Sequence, residues 1–292
     1  MEPLRNMAAL LRPGQWPKNV FVLAPLLFAR AVAEPGQAAR ALAAFGLFCL
    51  AASAVYAAND VIDAPRDRLH PRKKARPVAS GAVAPALALA LSAILAAAAI
   101  GFGFLLEPRL ALVLGAYLAL NLLYTLGLKN VVILDALSIA ISFVLRVLAG
   151  AAAIRVAASH WLLLCTLLLA LYLAFAKRRA ELRLLAGGAE EHRATLKGYT
   201  PDLLDRFDSI LLGATVVAYA LYTVAPETVA KFGSDRLIYG LPFVIYGLFR
   251  YLLLVERGGD AGDPGALALK DPPIVLCVVL WVAFNAAAIY VR

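Results

Sequence analysis

The sequence predicts an all-α, multi-pass membrane protein of about nine transmembrane helices. Three observations lead there. Of 292 residues, 63% are hydrophobic and only 16% are charged, against about 45–50% and about 25% in soluble domains. The mean hydropathy is +0.80. The apolar residues also gather in runs near the roughly 20 residues that a bilayer core of about 30 Å demands of a helix. Ordinary soluble, disordered and collagen-like chains are thereby excluded.

Taken in order, residues 1–14 read as an amphipathic N-terminal segment. Leu4, Met7, Ala8 and Leu11 follow helical spacing between Arg5 and Arg12, a pattern suited to a membrane surface. No signal-peptide apolar region precedes a cleavage site there. Apolar spans follow near 17–33, 39–60, 84–105, 109–127, 131–154, 160–176, 207–226, 236–255 and 273–291. Breakers such as Pro35-Gly36, Gly127 and Thr200-Pro201 separate several of them. The third and fifth spans are rich in Ala, Gly and Ser, which permits close helix packing. The three cysteines, Cys49, Cys165 and Cys277, lie inside apolar stretches and read as small hydrophobes.

Charge orients the chain. With the N-terminus cytoplasmic, 19 Lys and Arg fall on inside segments and 7 outside, a positive-inside pattern. The expected location is therefore the inner (plasma) membrane, with residues 1–292 forming one integral domain. Two loops, 61–83 and 177–206, are the longest on the cytoplasmic side, and the polar chemistry concentrates there.

From Asn59 the sequence reads NDVIDAPRDRLHPRKKARPVASG. Asp60, Asp63 and Asp67 are spaced i, i+3, i+7 and share one helical face. Three carboxylates together resist ionisation unless a cation offsets them. Oxygen ligands indicate a hard ion, and Mg²⁺ commonly combines one or two carboxylates with substrate phosphates. The next bases, including Arg66, Lys73 and Arg76 with His70 among them, complete a clamp for an Mg²⁺-bound diphosphate. A solvated helix end beside anionic lipid headgroups is the competing reading, and it leaves the aspartates without a role.

NDxxDxxxD followed by HPxKxxRPxxxG resembles the first acidic motif of the UbiA superfamily of intramembrane prenyltransferases. That resemblance implies a nine-helix bundle with a polar cavity open to the cytoplasm. RPGQWPKNV at 12–20, YTLGLKN at 124–130, and AKRRAEL at 176–182 followed by Tyr199-Thr200 resemble the polyprenyl-phosphate phosphoribosyltransferase branch. Members that use prenyl diphosphates normally carry a second DxxxD on the fifth helix. Here Asp135 is present, but Ile139 stands four residues on.

Asp135 and Arg146 are eleven residues apart and share a helical face. Asp135 is expected at the cytoplasmic mouth with Tyr124 and Lys129, and Lys18 enters the same face. Lys177 and Arg178 are expected to bind phosphate, with Glu181 beside them; capping of the helix dipole alone needs fewer charges. The implied reaction is Mg²⁺-dependent transfer of 5-phosphoribose from phosphoribosyl diphosphate to a polyprenyl (decaprenyl) phosphate. Asp60, Asp63, Asp67 and Asp135 are its expected catalytic carboxylates. The alternatives are a prenyltransferase acting on an aromatic acceptor and a nine-helix transporter. The expected partners are the membrane, the lipid phosphate and the donor rather than nucleic acid; a homo-oligomer is compatible with the sequence.

Overall fold

A computed structural model describes residues 2–69, 73–184, 194–257 and 264–290; His70, a candidate substrate contact, lies outside them. The described residues are mostly helical, with no strand among them. In chain order the α-helices are α1 (Glu2–Leu11), α2 (Ala24–Phe28), α3 (Pro35–Asp67), α4 (Pro85–Leu106), α5 (Pro108–Leu126) and α6 (Leu134–Ala153). Then come α7 (His160–Leu184), α8 (Pro201–Val224), α9 (Pro226–Phe232), α10 (Leu241–Glu256), α11 (Pro264–Lys270) and α12 (Pro272–Tyr290). Proline opens many of them, because the first helical turn has no use for the missing N–H.

The chain is a multi-pass membrane protein. Eight helical stretches among the described residues are long and apolar enough to cross a membrane, and they coincide with eight of the nine predicted spans. The span expected at 17–33 differs. There Pro13–Leu23 forms a 3₁₀ helix with Pro17 inside it, followed by the five-residue α2. Apolar content suggests a span, but the prolines interrupt the backbone ladder that a continuous α-helix needs. Both long loops are also shorter than expected. Helix α3 runs on to Asp67 and α7 to Leu184; in α7 the strong helix formers of the run KRRAEL at 177–182 extend the helix past its apolar part.

The packing groups into two compact units. Unit 1 comprises residues 1–126 and 145–158, and unit 2 comprises 127–144 and 159–292. In unit 1, α3 is the axis; its 33 residues span roughly 50 Å. Phe48, Leu110, Leu114 and Tyr117 form a core with Val22 and Ala149. Ser92 donates to the Ala54 carbonyl at 2.8 Å, tying α4 to α3. A Cβ on Gly150 would stand 1.8 Å from the Val22 carbonyl oxygen, so only glycine permits this approach of α6 to the 3₁₀ segment. Helix α1 is not a free surface helix: Leu10 is fully buried in a cluster with Ala57, Ala64 and Val78, and Met7 packs against it.

Arg146 is a structural residue of unit 1. It is buried, donates to Asn19 Oδ1 at 2.9 Å, and lies 5.0 Å and 5.2 Å from the ring centres of Phe48 and Tyr117. Two aromatic faces and an amide thus offset its desolvation.

In unit 2, Tyr172, Leu212, Leu248, Tyr251 and Ile274 form the core. Thr200 caps α8 by accepting from Leu203 N at 3.2 Å. Asp271 caps α12 by accepting from Ile274 N at 3.0 Å, and it also accepts from Arg250 at 2.9 Å. These contacts, Arg250 first, hold its carboxyl below the usual carboxylate range. A depressed pKa contributes stability above the unfolded value of about 3.9 that is lost as pH falls through the folded one. Asp271→Ala should therefore lower the melting temperature at pH 7, and the gap from wild type should close in scans taken progressively below pH 4.

Candidate functional site

The candidate residues divide between the units. Lys18, Asn59, Asp60, Asp63, Arg66, Asp67, Lys73, Arg76 and Tyr124 belong to unit 1, and Lys129, Asp135, Lys177, Arg178 and Glu181 to unit 2.

In unit 1 the last two turns of α3 place Asp60 and Asp67 inward and Asp63 at an intermediate depth, with Asp60 1% and Asp67 4% exposed. Arg12 forms an ion pair with Asp60 Oδ1. Its guanidinium also sits 5.1 Å from the Tyr56 ring centre. Arg76 reaches Asp67 Oδ2 at 2.6 Å and Asp60 Oδ1 at 3.7 Å. Arg12 takes a left-handed backbone at φ 50° as the chain leaves α1, a turn that directs the following 3₁₀ helix along α3. There Trp16 donates to Ser53 at 3.1 Å, and Ser53 donates to the Leu11 carbonyl at 2.9 Å. Thr125 donates to Asn59 Oδ1 at 2.7 Å and fixes that amide. Lys18 donates to Gln15 at 2.5 Å; Arg66 and Lys73 are exposed and Tyr124 is half-buried.

The three aspartates do not form a protein-built metal cage. Among the described residues no three acidic, histidine or cysteine side chains gather closely enough to hold an ion, because two arginines occupy the space between Asp60 and Asp67. The chemistry still fits a divalent cation. Asp60 Oδ2 is buried without a hydrogen-bond partner. Mg²⁺ rarely uses an all-protein cage; it takes a carboxylate or two and completes its shell with water and phosphate.

Unit 2 holds a second polar group. Asp135 is wholly buried, and both its oxygens are engaged: Arg178 Nε lies 2.7 Å from Oδ2, and the Tyr199 hydroxyl donates to Oδ1 at 2.7 Å. Tyr199 also accepts from Ile133 N at 2.7 Å. Burial and its bond to Asp135 push the phenol well above its ordinary value, so it stays a proton donor. Arg178 is 1% exposed and also reaches Glu181 at 2.8 Å. Its Nε and Nη1 thus face the two carboxylates. Lys177 is 31% exposed and 3.9 Å from Glu181. Lys129 is half-buried in a short 3₁₀ turn, Leu128–Asn130. Ile139 packs against an apolar cluster that includes Ala136, Phe175 and Leu204.

The profile of the UbiA prenyltransferase family matches residues 22–269. The chain belongs to the UbiA prenyltransferase family. Among curated UbiA relatives, the decaprenyl-phosphate phosphoribosyltransferase of Mycolicibacterium smegmatis is 35% identical, the match covering 99% of this chain and 95% of that one. The protein of the same name from Corynebacterium glutamicum is also 35% identical, over 99% of this chain and 90% of its own. Among solved structures, a UbiA homolog from Archaeoglobus fulgidus bound to DMAPP and Mg²⁺ superposes with a TM-score of 0.71 at 16% identity. That match covers 98% of this chain and 100% of the other. The UbiA fold is thereby established for this chain.

Two contributors were not among the sequence candidates. Arg12 lies 48 residues from Asp60 and Tyr199 lies 64 from Asp135, so no local spacing could pair them. The motif containing Arg12 and the Tyr199-Thr200 match were the only signals in their neighbourhoods.

Proposed function

We propose that this UbiA member transfers 5-phosphoribose from phosphoribosyl diphosphate to a polyprenyl phosphate and releases diphosphate. One observation carries the reading over aromatic prenylation: the position of the second acidic pair offers no metal site. Ile139 is packed in apolar surroundings, and both oxygens of Asp135 are taken by Arg178 and Tyr199. The near-full-length relatives named decaprenyl-phosphate phosphoribosyltransferase support the same choice.

In the proposed reaction an oxygen of the lipid phosphate attacks the anomeric carbon, and the bond from that carbon to the diphosphate oxygen breaks. The acceptor is already an anion, so the chain needs no strong general base. Its task is to position both reactants and to stabilise the departing charge. Asp60, Asp63 and Asp67 would hold a divalent ion, which supplies positive charge against the leaving diphosphate. Lys73, Arg76 and Lys177 would supply cations for phosphate oxygens. Arg178 and Tyr199 hold Asp135 in place, where it would act on a ribose hydroxyl or on positive charge developing on the sugar. The 19-to-7 distribution of cations supports a cytoplasmic N-terminus in an inner membrane.

Purified protein given phosphoribosyl diphosphate, Mg²⁺ and a polyprenyl phosphate should release diphosphate and yield a phosphoribosylated lipid. Turnover of geranyl or longer prenyl diphosphates onto an aromatic acceptor, with phosphoribosyl diphosphate inert, would overturn the assignment.

A further inference from the structure

Unit 1 carries a second charged region at the opposite end of α3. Arg40, in the second turn of α3, is 20 residues from Asp60, or roughly 30 Å along the helix. Arg40 donates to the carbonyls of Ala153 and Leu106 at 2.6 Å and 2.8 Å, the last residues of α6 and α4. Beside it Glu107 forms the whole turn between α4 and α5, and Arg155 follows α6.

A groove of about 620 Å³ opens there, lined by Glu107, Arg109, Val113, Leu148, Ala152 and Arg155 among others. Arg155 Nε lies 2.6 Å from Glu107 Oε2, yet its side chain remains 68% exposed. Arg109 is exposed at the second position of α5 and makes no side-chain ion pair among the described residues. Three arginines and one glutamate leave two positive charges over. Arg155 holds the Glu107 carboxyl below its ordinary value, so that balance persists at neutral pH.

The backbone also points to a placed guanidinium. Arg155 has φ 58°, and Arg155 N and Val156 N donate to the carbonyls of Ala152 and Ala151. This is the helix-ending arrangement in which glycine is usual. An arginine there is strained where glycine is not, and its side chain stands at the rim of the groove.

From this groove we infer that the Arg40 end of unit 1 is a binding site for an anionic phospholipid. The phosphate sits between Arg109 and Arg155, the most exposed cations, and the first methylenes of a chain lie along Val113, Leu148 and Ala152. A volume of about 620 Å³ exceeds what a bare phosphate fills, and the wall facing the arginines is apolar. The flanking Leu105 and Leu112 are 79% and 74% exposed, a surface that hydrocarbon covers in a membrane. The charge and the apolar wall together select an anionic lipid over a zwitterionic one.

The test is native mass spectrometry of the full-length protein in detergent, titrated with phosphatidylglycerol, with phosphatidylcholine of the same chains, and with inorganic phosphate. Wild type should retain phosphatidylglycerol in preference. Arg109→Gln with Arg155→Gln should weaken that retention by roughly 10–30-fold, since each basic residue near an anionic headgroup contributes about a fivefold factor. Arg236→Gln, which removes one positive charge on unit 2 as Arg109→Gln alone does on unit 1, should leave it unchanged. Should the double variant fail to fold through loss of the Glu107 partner, Arg109→Gln alone should still weaken retention about fivefold. Equal retention of the two lipids, an unaffected Arg109→Gln variant, an equal loss in Arg236→Gln, or displacement of the lipid by millimolar phosphate would each overturn the proposal.

Discussion

Asp63→Asn should cut Mg²⁺-dependent turnover by roughly 10²–10³-fold while leaving the melting temperature nearly unchanged. The substitution keeps shape and hydrogen-bonding capacity and removes one negative charge from the acidic face of α3. If that charge helps to hold a cation against the leaving diphosphate, its loss resembles the removal of one electrostatic contact to a developing charge, a loss of that order. Asp63 is only half-buried, and substitutions at such positions usually change stability by less than about 0.5 kcal/mol. Asp60→Asn is the informative contrast. It disturbs buried pairs with Arg12 and Arg76, so it should lose both stability and activity. Melting temperature and specific activity measured on one preparation decide the matter. A destabilised Asp63→Asn with near-normal activity per folded molecule would mean that the acidic face serves folding rather than the reaction.

Arg179→Met should destabilise unit 2 by about 3 kcal/mol, the low end of the range for removing one partner of a buried ion pair, since Asp208 is buried while Asp205 and Glu256 are half exposed. Arg179 is 3% exposed and joins α7 to α8 and α10. Its Nη1 lies 2.6 Å from both Asp205 and Glu256, and its Nε is 3.3 Å from Asp208. Without it the buried Asp208, whose oxygens already lack hydrogen-bond partners, would face no cation at all from this position. The physical cause can be isolated by a second substitution. Arg179→Met combined with Asp208→Leu should recover much of the loss, since an apolar pair can replace a buried ion pair at little cost. Equal melting temperatures for the single and double variants would show that the penalty comes from lost packing and not from a stranded carboxylate. Denaturant unfolding in mixed micelles provides the measurement.

What could be read from the sequence follows a physical division. The spans of α3 to α8, α10 and α12 were legible because each must present about 20 apolar residues to lipid whatever its neighbours do. The 3₁₀ segment at 13–23 was not: its apolar residues satisfy the same count, while Pro17 removes a donor and redirects the backbone. The acidic face of Asp60, Asp63 and Asp67 was legible from local spacing alone. Its occupation by Arg12 and Arg76 was not, because the Arg12 contact crosses 48 residues. Arg146 shows the limit most clearly. Its eleven-residue spacing from Asp135 places both on one helical face, but could not say that it meets Asn19, Phe48 and Tyr117. Periodicity tells which way a side chain leaves its own helix; the identity of what it meets belongs to tertiary packing.

The contact of Gly150 with the Val22 carbonyl sets a timetable for assembly. The two residues are 128 positions apart, and ribosomes add about 5–20 residues per second, so α6 reaches its seat roughly 6–26 s after Val22 is made. Until then the N-terminal segment, interrupted by Pro17 and Pro25, faces its surroundings with an incomplete backbone ladder, which is costly in lipid. Only α3 is available early: Asn19 donates to Cys49 at 3.2 Å and Trp16 to Ser53 at 3.1 Å, partners made within a few seconds. The nascent chain thus has a holding contact first and a sealing contact later. A translational pause between α3 and α6 would lengthen the interval in which that segment is open to chaperones, proteases or the insertion machinery.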